Sequence, residues 1–450
     1  MNAMGVRRTA EQVLALAPDD ASRSAGSKLG SAGSWPESGH GGGVVWGLCR
    51  DGGGTTHRTA VDTTGPAFHC GCPSRKSPCE HALGLLLLHA SDGTAPGEST
   101  APDWAARWLE TRRGRAASSA SARPAEGTSA RRPADPEAAR RRAARRAARI
   151  TSGTHELEQR LADLLRGGLA AAGQPGYGLW EETAARMVDA QAPGLAGRVR
   201  ELGAIPGSGP GWPVRLLEEC ALTHLLDRAW LGAERLPAPF ATTVRTRVGL
   251  PSPVEGAPVR DHWLVLAQYD TGDARLTTRR IWLHGTTSGR TSFLLSYGAA
   301  GRAPALALPV GAVLDGELTP HTGSGQLRAE PGEHFVPVTA PVGPPPGGPV
   351  GAALDAYGGA LRDDPWLDSW PVTLSGVVPT RAEYGWQLAD ADGREALPLT
   401  SAAQSRRGLW RLVALSGGAP LTVFGECGHR GFTPLTAWSP EAPDETVPLV

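Results

Sequence analysis

The chain has 450 residues, with 45 Lys and Arg against 45 Asp and Glu, 40% hydrophobic content, 59 Gly and 39 Pro. That length exceeds a single compact core and argues for about two to four units. Zero net charge excludes a protein that is basic throughout and leaves polyanion binding to local patches, and Gly and Pro at nearly twice their usual share require many turns and at least one disordered stretch.

Residues 1–92 read as an N-terminal unit. Its opening residues lack the apolar core of a signal peptide, and the longest apolar run, Leu83–Leu88, is far below the about 20 residues that cross a bilayer. The expectation is a cytoplasmic protein without a membrane partner. A short helix is expected around Ala10–Ala17, loop over Ser22–Gly43, and strands at Val44–Cys49 and His57–Asp62 around the turn Asp51-Gly52-Gly53-Gly54. Of six cysteines, Cys70, Cys72 and Cys79 cluster, while Cys49, Cys220 and Cys427 stand singly. This is a poor disulfide framework, and in a reducing compartment a cluster means metal or redox chemistry.

The informative stretch runs from Phe68 to His89. Cys70-x-Cys72, six residues, then Cys79-x-His81 supply three thiolates and one imidazole, a full tetrahedral set for one structural Zn²⁺. On an extended Phe68–Cys72 the two cysteines share a face, and His69 points away from them. Ser77-Pro78-Cys79-Glu80 reads as a capping box with Ser77 as N-cap, which places Cys79 in the first turn of a helix to about His89. Cys79 and His81 then stand two apart, on opposite faces of a regular helix, and spacing alone does not say how both reach one ion. Leu83, Leu86 and Leu87 are expected to face the hairpin, with Leu85 and Leu88 turned elsewhere. Buried or redox cysteines, above all a CxC redox pair, are the rival explanation. Four protein donors leave no position for an activated water, so a bound ion is expected to serve structure rather than catalysis.

Residues 93–134 hold a helix from Asp103, whose Trp104 and Trp108 share a face that packs on the zinc unit, and then a linker. Over Arg112–Arg149 twelve arginines stand against three acids, and up to about Pro133 no apolar periodicity supports structure. At Asp135-Pro136 a helix can start. It carries Arg140, Arg141, Arg142, Arg145, Arg146 and Arg149, and then Leu157, Leu161, Leu164, Leu165 and Leu169 on one face. With Trp180–Ala190, Gly194–Leu202 and Val214–Leu231 this makes 135–235 a helical domain. Residues 236–450 read as β-rich, with short strands at His262–Tyr269, Arg280–His284, Thr291–Tyr297, Ala312–Leu318, Pro371–Val378, Tyr384–Ala389, Glu395–Leu399, Leu409–Leu415 and Pro420–Gly425. The Pro/Gly stretch 340–351 is a candidate split into two subdomains. The fold class expected is α+β multidomain: a small ββα zinc module at about 44–92, a helical middle domain and a β-rich C-terminal region.

The CxC, spacer, CxH arrangement resembles the SWIM zinc finger. Flanking pieces are similar to bacterial SWIM-containing proteins: Trp46-Gly47-x-Cys49, Gly65-Pro66-Ala67-Phe68, CPSRKxPCxHALGLLLL, Trp104 to Leu109, and Trp180–Leu195 outside the zinc module. The resemblance covers roughly the first 235 residues. It implies a ββα zinc fold with nucleic-acid or protein interaction, and it implies as companions MoxR-type ATPases and von Willebrand A-domain proteins.

The finger itself, from Val45 to Asp92, carries four basic and four acidic residues, so it offers no net basic face. The expected function is therefore a protein-interaction scaffold or adaptor. The alternative is a nucleic-acid-binding protein using the arginines from Arg140 to Arg149 with the finger. No catalytic residues are expected. His40-Gly41-Gly42-Gly43 resembles an oxyanion element but has no G-x-S-x-G partner, and the chain has neither a phosphate-binding P-loop nor an H-E-x-x-H helix.

Overall fold

The computed structural model describes residues 10–450 apart from 15, 18–19, 51–54, 64–66, 75, 77, 92–95, 112–135, 174–177, 252–253, 255, 273–275, 300–302, 305, 322–326, 339–341 and 384. The expected turn Asp51–Gly54, the N-cap Ser77 and the linker up to about Pro133 fall outside the described residues.

The N-terminal unit places α1 (Ala10–Leu14) and α2 (Asp20–Lys28) before a four-stranded antiparallel meander, β1 (Glu37–Gly41), β2 (Val44–Arg50), β3 (Thr56–Asp62) and β4 (Ala67–Cys70). Helices α3 (Glu80–Ala90) and α4 (103–111) follow. The expected loop Ser22–Gly43 is thus partly helix and partly strand. Its Gly and Ser content hides a segment whose order comes from tertiary contact, because β1 pairs with β2 from Glu37↔Leu48 to Gly41↔Val44.

Strand alternation sorts the two faces of the meander. Val45, Cys49, Val61, Phe68 and Cys70 join the core under α3, whereas Val44, Trp46 and Ala60 pack with Trp104, Ala105, Trp108 and Leu109 of α4. The tryptophan helix covers the sheet as expected. His69 points to the α4 side and stacks on Trp108 at 5.8 Å. Helix α3 buries Leu83, Leu85, Leu86, Leu87 and Leu88, each worth about 1.5–3 kcal/mol of transfer free energy.

The rotation of α3 differs from expectation. Leu85 meets the sheet at Gly47, while Leu83 and Leu87 lie against Gly26 of α2 and Gly30 just beyond it. The reason lies at the helix start: His81 must face the sheet end where Cys70 sits, and Leu85, four residues on, shares its face. Gly84 lets α2 and α3 approach closely; a Cβ there would stand 2.5 Å from the Leu29 Cβ.

Five helices form the middle of the chain: α5 (Pro136–Gly167), α6 (Leu179–Asp189), α7 (Pro193–Ala204), α8 (Trp212–Leu231) and α9 (Ala238–Val248). Ile150, Leu157, Leu161, Met187, Leu195, Val199, Leu216, Leu226 and Val244 make their shared core. The helical region reaches 248 rather than 235. The α9 sequence is rich in Thr and Val and carries no leucine period, so its helicity comes from burying Thr243, Val244 and Val248 against its neighbours.

The rest is two antiparallel sheets. One has five strands in the order β7-β6-β5-β8-β9, from β5 (Val259–Gly272), β6 (Leu276–Gly285), β7 (Thr291–Ala299), β8 (Val313–Pro320) and β9 (Ala329–Val338). Helix α10 (Val350–Asp363) leads to β10 (Ser369–Ala382), β11 (Gly385–Asp390), β12 (Ala396–Pro398), α11 (Ser401–Gln404), α12 (Gly408–Ser416), β13 (Leu421–Gly428), β14 (Gly431–Ser439) and β15 (Ala442–Pro448). The second sheet has the order β12-β11-β10-β13-β14-β15. Leu264, Leu266 and Trp282 of the first sheet pack with Phe424, Leu435 and Trp438 of the second.

Leu409–Leu415, expected as strand, is the helix α12. Leu409, Leu412 and Ser416 are its buried face, a helical spacing that a seven-residue stretch with one charge, Arg411, does not reveal by itself. Trp366 joins the helical core from the C-terminal half, and its indole N–H donates to the Leu222 carbonyl at 2.9 Å. Arg247 of α9 grips Asp364 with three hydrogen bonds of 2.6–3.0 Å.

Candidate metal centre

Cys70 ends β4, where Thr59 of β3 lies opposite and its hydroxyl stands 3.3 Å from the Cys70 sulfur. Past Cys70 the Gly71 N–H donates to the Arg58 carbonyl at 3.0 Å, which holds the turn carrying Cys72 against β3. Cys79 is the N-cap of α3, with φ −77° and ψ 170°, and His81 is the second residue of the helix.

The helix therefore starts two residues later than Ser77 would set it, and this resolves the two-apart geometry. Cys79 has extended backbone, so its side chain is not bound to the helical wheel and can turn towards the same point as His81. The Leu83 N–H closes the first turn on the Cys79 carbonyl at 3.0 Å.

One donor atom from each of Cys70, Cys72, Cys79 and His81 lies within 4.8 Å of every other. A tetrahedral shell with bonds of about 2.3 Å requires donors about 3.7 Å apart. The chemistry and spacing of the cluster fit a single metal ion. Cys79 and His81 are buried, and Cys70 and Cys72 are half-buried. The His57 ring lies 4.8 Å from the His81 ring and walls that side.

The Cys79 thiol beside it holds Cys70 down at about 3. The same contact, together with burial, pushes Cys79 up, and burial raises Cys72. The sulfurs share protons in the way expected of thiols forced together. A cation in their midst would replace those protons, and the N-terminus of α3 adds its positive end to the thiolates.

The other sequence candidates stand apart from this cluster. Cys49 is buried in the α3 core, Cys220 in the helical core and Cys427 on β13 in the core of the second sheet. His89, at the far end of α3, lies 5.2 Å from the His40 ring.

Residues 145–248 match the SWIM-associated four-helix bundle domain. That match suggests a protein of the SWIM family. It falls on the helices from the third turn of α5 to the end of α9, so the SWIM-associated bundle and the Cys/His cluster sit in one chain. No curated protein and no solved structure matches it. Among the described residues no helix is long and apolar enough to cross a membrane.

The arginines from Arg140 to Arg149 all lie on α5. Arg140, Arg141, Arg142, Arg145 and Arg149 are exposed, whereas Arg146 is half-buried. Arg146 donates to the carbonyls of Gly249 at 3.3 Å and Gln191 at 3.5 Å, tying the end of α9 and the α6–α7 turn to α5. Arg245 of α9, which sequence reasoning missed, lines a groove with Arg142 and Arg146. No sequence signal links positions about a hundred residues apart; only the bundle brings them together.

Proposed function

We propose that this chain is a zinc-braced adaptor that binds another protein. What carries this is the closed donor set: Cys70, Cys72, Cys79 and His81 come from one chain and surround one point between the end of β4 and the start of α3. Zn²⁺ suits three sulfurs and one imidazole, and a filled shell leaves no place for a substrate or an activated water. The ion would act as a brace for a small unit and not as a catalyst. A reducing, cytoplasmic setting would keep the cysteines available as thiols.

The SWIM-associated bundle supplies a surface for such a partner. Leu216, Cys220, Thr223 and Leu226 are the buried face of α8. On its other side Val214, Leu217 and Leu225 are 62%, 50% and 45% exposed. With exposed Ala221 they recur at spacings of three, four and four, so one helix is apolar on two faces. A second apolar face on an outer helix is the feature of a protein contact. The partner we propose is a protein of the MoxR-type ATPase or von Willebrand A-domain kind, which the SWIM resemblance implies.

The experiment mixes the purified full chain with each of those two proteins from the same organism and follows complex formation by size-exclusion chromatography with light scattering. A complex lost in Leu217→Glu/Leu225→Glu, with the zinc content unchanged, supports the proposal. Absence of any complex, or one indifferent to both the substitutions and zinc removal, rejects it.

A further inference from the structure

The α5–α9 groove has a volume of about 550 Å³. Arg142 and Arg146 line it from α5 and Arg245 from α9, with Ala143, Leu250 and Pro251 between them. Among the described residues, no carboxylate lines it. Along the same helix Arg140, Arg145 and Arg149 are exposed. Among the described residues, no ion pair joins Arg140, Arg142, Arg145, Arg149 or Arg245 to a carboxylate, and Arg141 pairs with Glu137 at 3.9 Å. Elsewhere in the bundle Arg160, Arg166, Arg186, Arg198 and Arg200 each face an acid. In a chain of zero net charge, this face concentrates positive charge that the described residues around Arg142, Arg145, Arg149 and Arg245 do not pair.

We propose that this groove and the adjoining α5 face bind the phosphodiester backbone of a nucleic acid, without reading its bases. Arg142, Arg145 and Arg149 rise along α5 by about 10 Å, the length of about three phosphates of one strand. Arg245 adds a fourth cation across the groove. From Arg140 to Arg149 the chain holds only arginines and alanines, so the α5 face has no large apolar side chain to insert into a lipid surface. Among the described residues, no aromatic side chain lines the groove to stack on a base, which favours recognition by charge. The Arg146 contacts to Gly249 and Gln191 make it a positioning residue that holds α9 beside α5.

Four neutralised phosphates predict binding that weakens about 100-fold between 50 and 200 mM salt on a duplex, and less steeply on a single strand. The test is fluorescence anisotropy of the full chain with a 30-mer single-stranded RNA, a 30-base-pair RNA duplex and a 30-base-pair DNA duplex at several salt concentrations. The triple variant Arg142→Ala/Arg145→Ala/Arg245→Ala is expected to bind at least tenfold more weakly with a shallower salt slope. Its far-UV circular dichroism should be unchanged, because all three side chains are exposed. The matching triple lysine variant should retain most of the binding, and Arg406→Ala/Arg407→Ala, on another exposed surface, should retain it all. No binding of any of the three at 50 mM salt overturns the proposal. So does equal binding by the triple alanine variant, or tighter binding of phosphatidylserine vesicles or polyglutamate through the same arginines.

Discussion

Asp227 gives the sharpest test of the bundle's energetics. It is fully buried on α8, beside the carboxylate of Glu158 on α5. Burial pushes its carboxyl up to about 9, and the charge of Glu158 and a hydrogen bond shared with it add to the shift; Glu158 is itself held by His224 Nδ1 at 2.8 Å. The folded chain therefore keeps Asp227 protonated at neutral pH, while the unfolded chain ionises it near 4. Because the folded value is the higher one, the stability Asp227 allows is complete below about pH 4 and falls as pH rises towards 9. Three pH units at about 1.4 kcal/mol each make this a loss of about 4 kcal/mol at pH 7. Asp227→Asn keeps the shape and removes the titration. It should stabilise the bundle by up to about 4 kcal/mol at pH 7 and by almost nothing at pH 4. Urea titration of the full chain, with mass-spectrometric hydrogen exchange read on α8 peptides at pH 4, 7 and 9, measures this directly. A gain that does not change with pH, or a loss at pH 7, would refute the protonated buried carboxyl.

Further outcomes follow from the packing and the metal cluster. Cys72→Ser or Cys79→Ser should lower zinc bound to the purified, reduced protein, measured by elemental analysis, and raise hydrogen exchange across β3, β4 and α3. Zinc affinity should fall as pH drops, since protons compete for the sulfurs and the imidazole; a competition titration with a chelator at pH 5.5 and 7.5 checks it. Gly84→Val forces side-chain atoms into Leu29 and should cost roughly 1–3 kcal/mol or more, seen as early loss of α2 protection. Arg247→Ala leaves the half-buried Asp364 carboxylate without its partner. It should cost about 3 kcal/mol and expose the α9–α10 junction to limited proteolysis, while Arg247→Lys should recover only part of the loss.

The metal cluster was the most legible feature of the chain, because donor type and spacing are local properties. Cys70-x-Cys72 and Cys79-x-His81 already stand at the two ends of a short connection, and the described chain brings all four together. The rotation of α3 was readable in principle: His81 must face the metal, and Leu85 stands one turn above it. Assigning the helix face from the leucines alone missed this.

Elsewhere the outcome depended on how strongly each segment states its own period. The leucines of α5 and the runs that became α6, α7 and α8 declare a helix before any partner is known. Ser22–Gly43, α9 and α12 do not. Their residues are Gly and Ser, β-branched, or too few to separate a period of two from one of 3.6, so burial against neighbours selected the conformation.

The amino-acid sequence alone specified the donor set, the arginine run and the helical and β-rich halves, since each is written in neighbouring residues. Tertiary structure alone decided that Cys79 is an extended N-cap, that Arg146 is spent on two carbonyls, that Arg245 joins Arg142 across a groove, and that Asp227 lies sealed beside Glu158. Each of these depends on groups distant in the chain becoming neighbours in space, and free energies of burial and charge exist only once they have met.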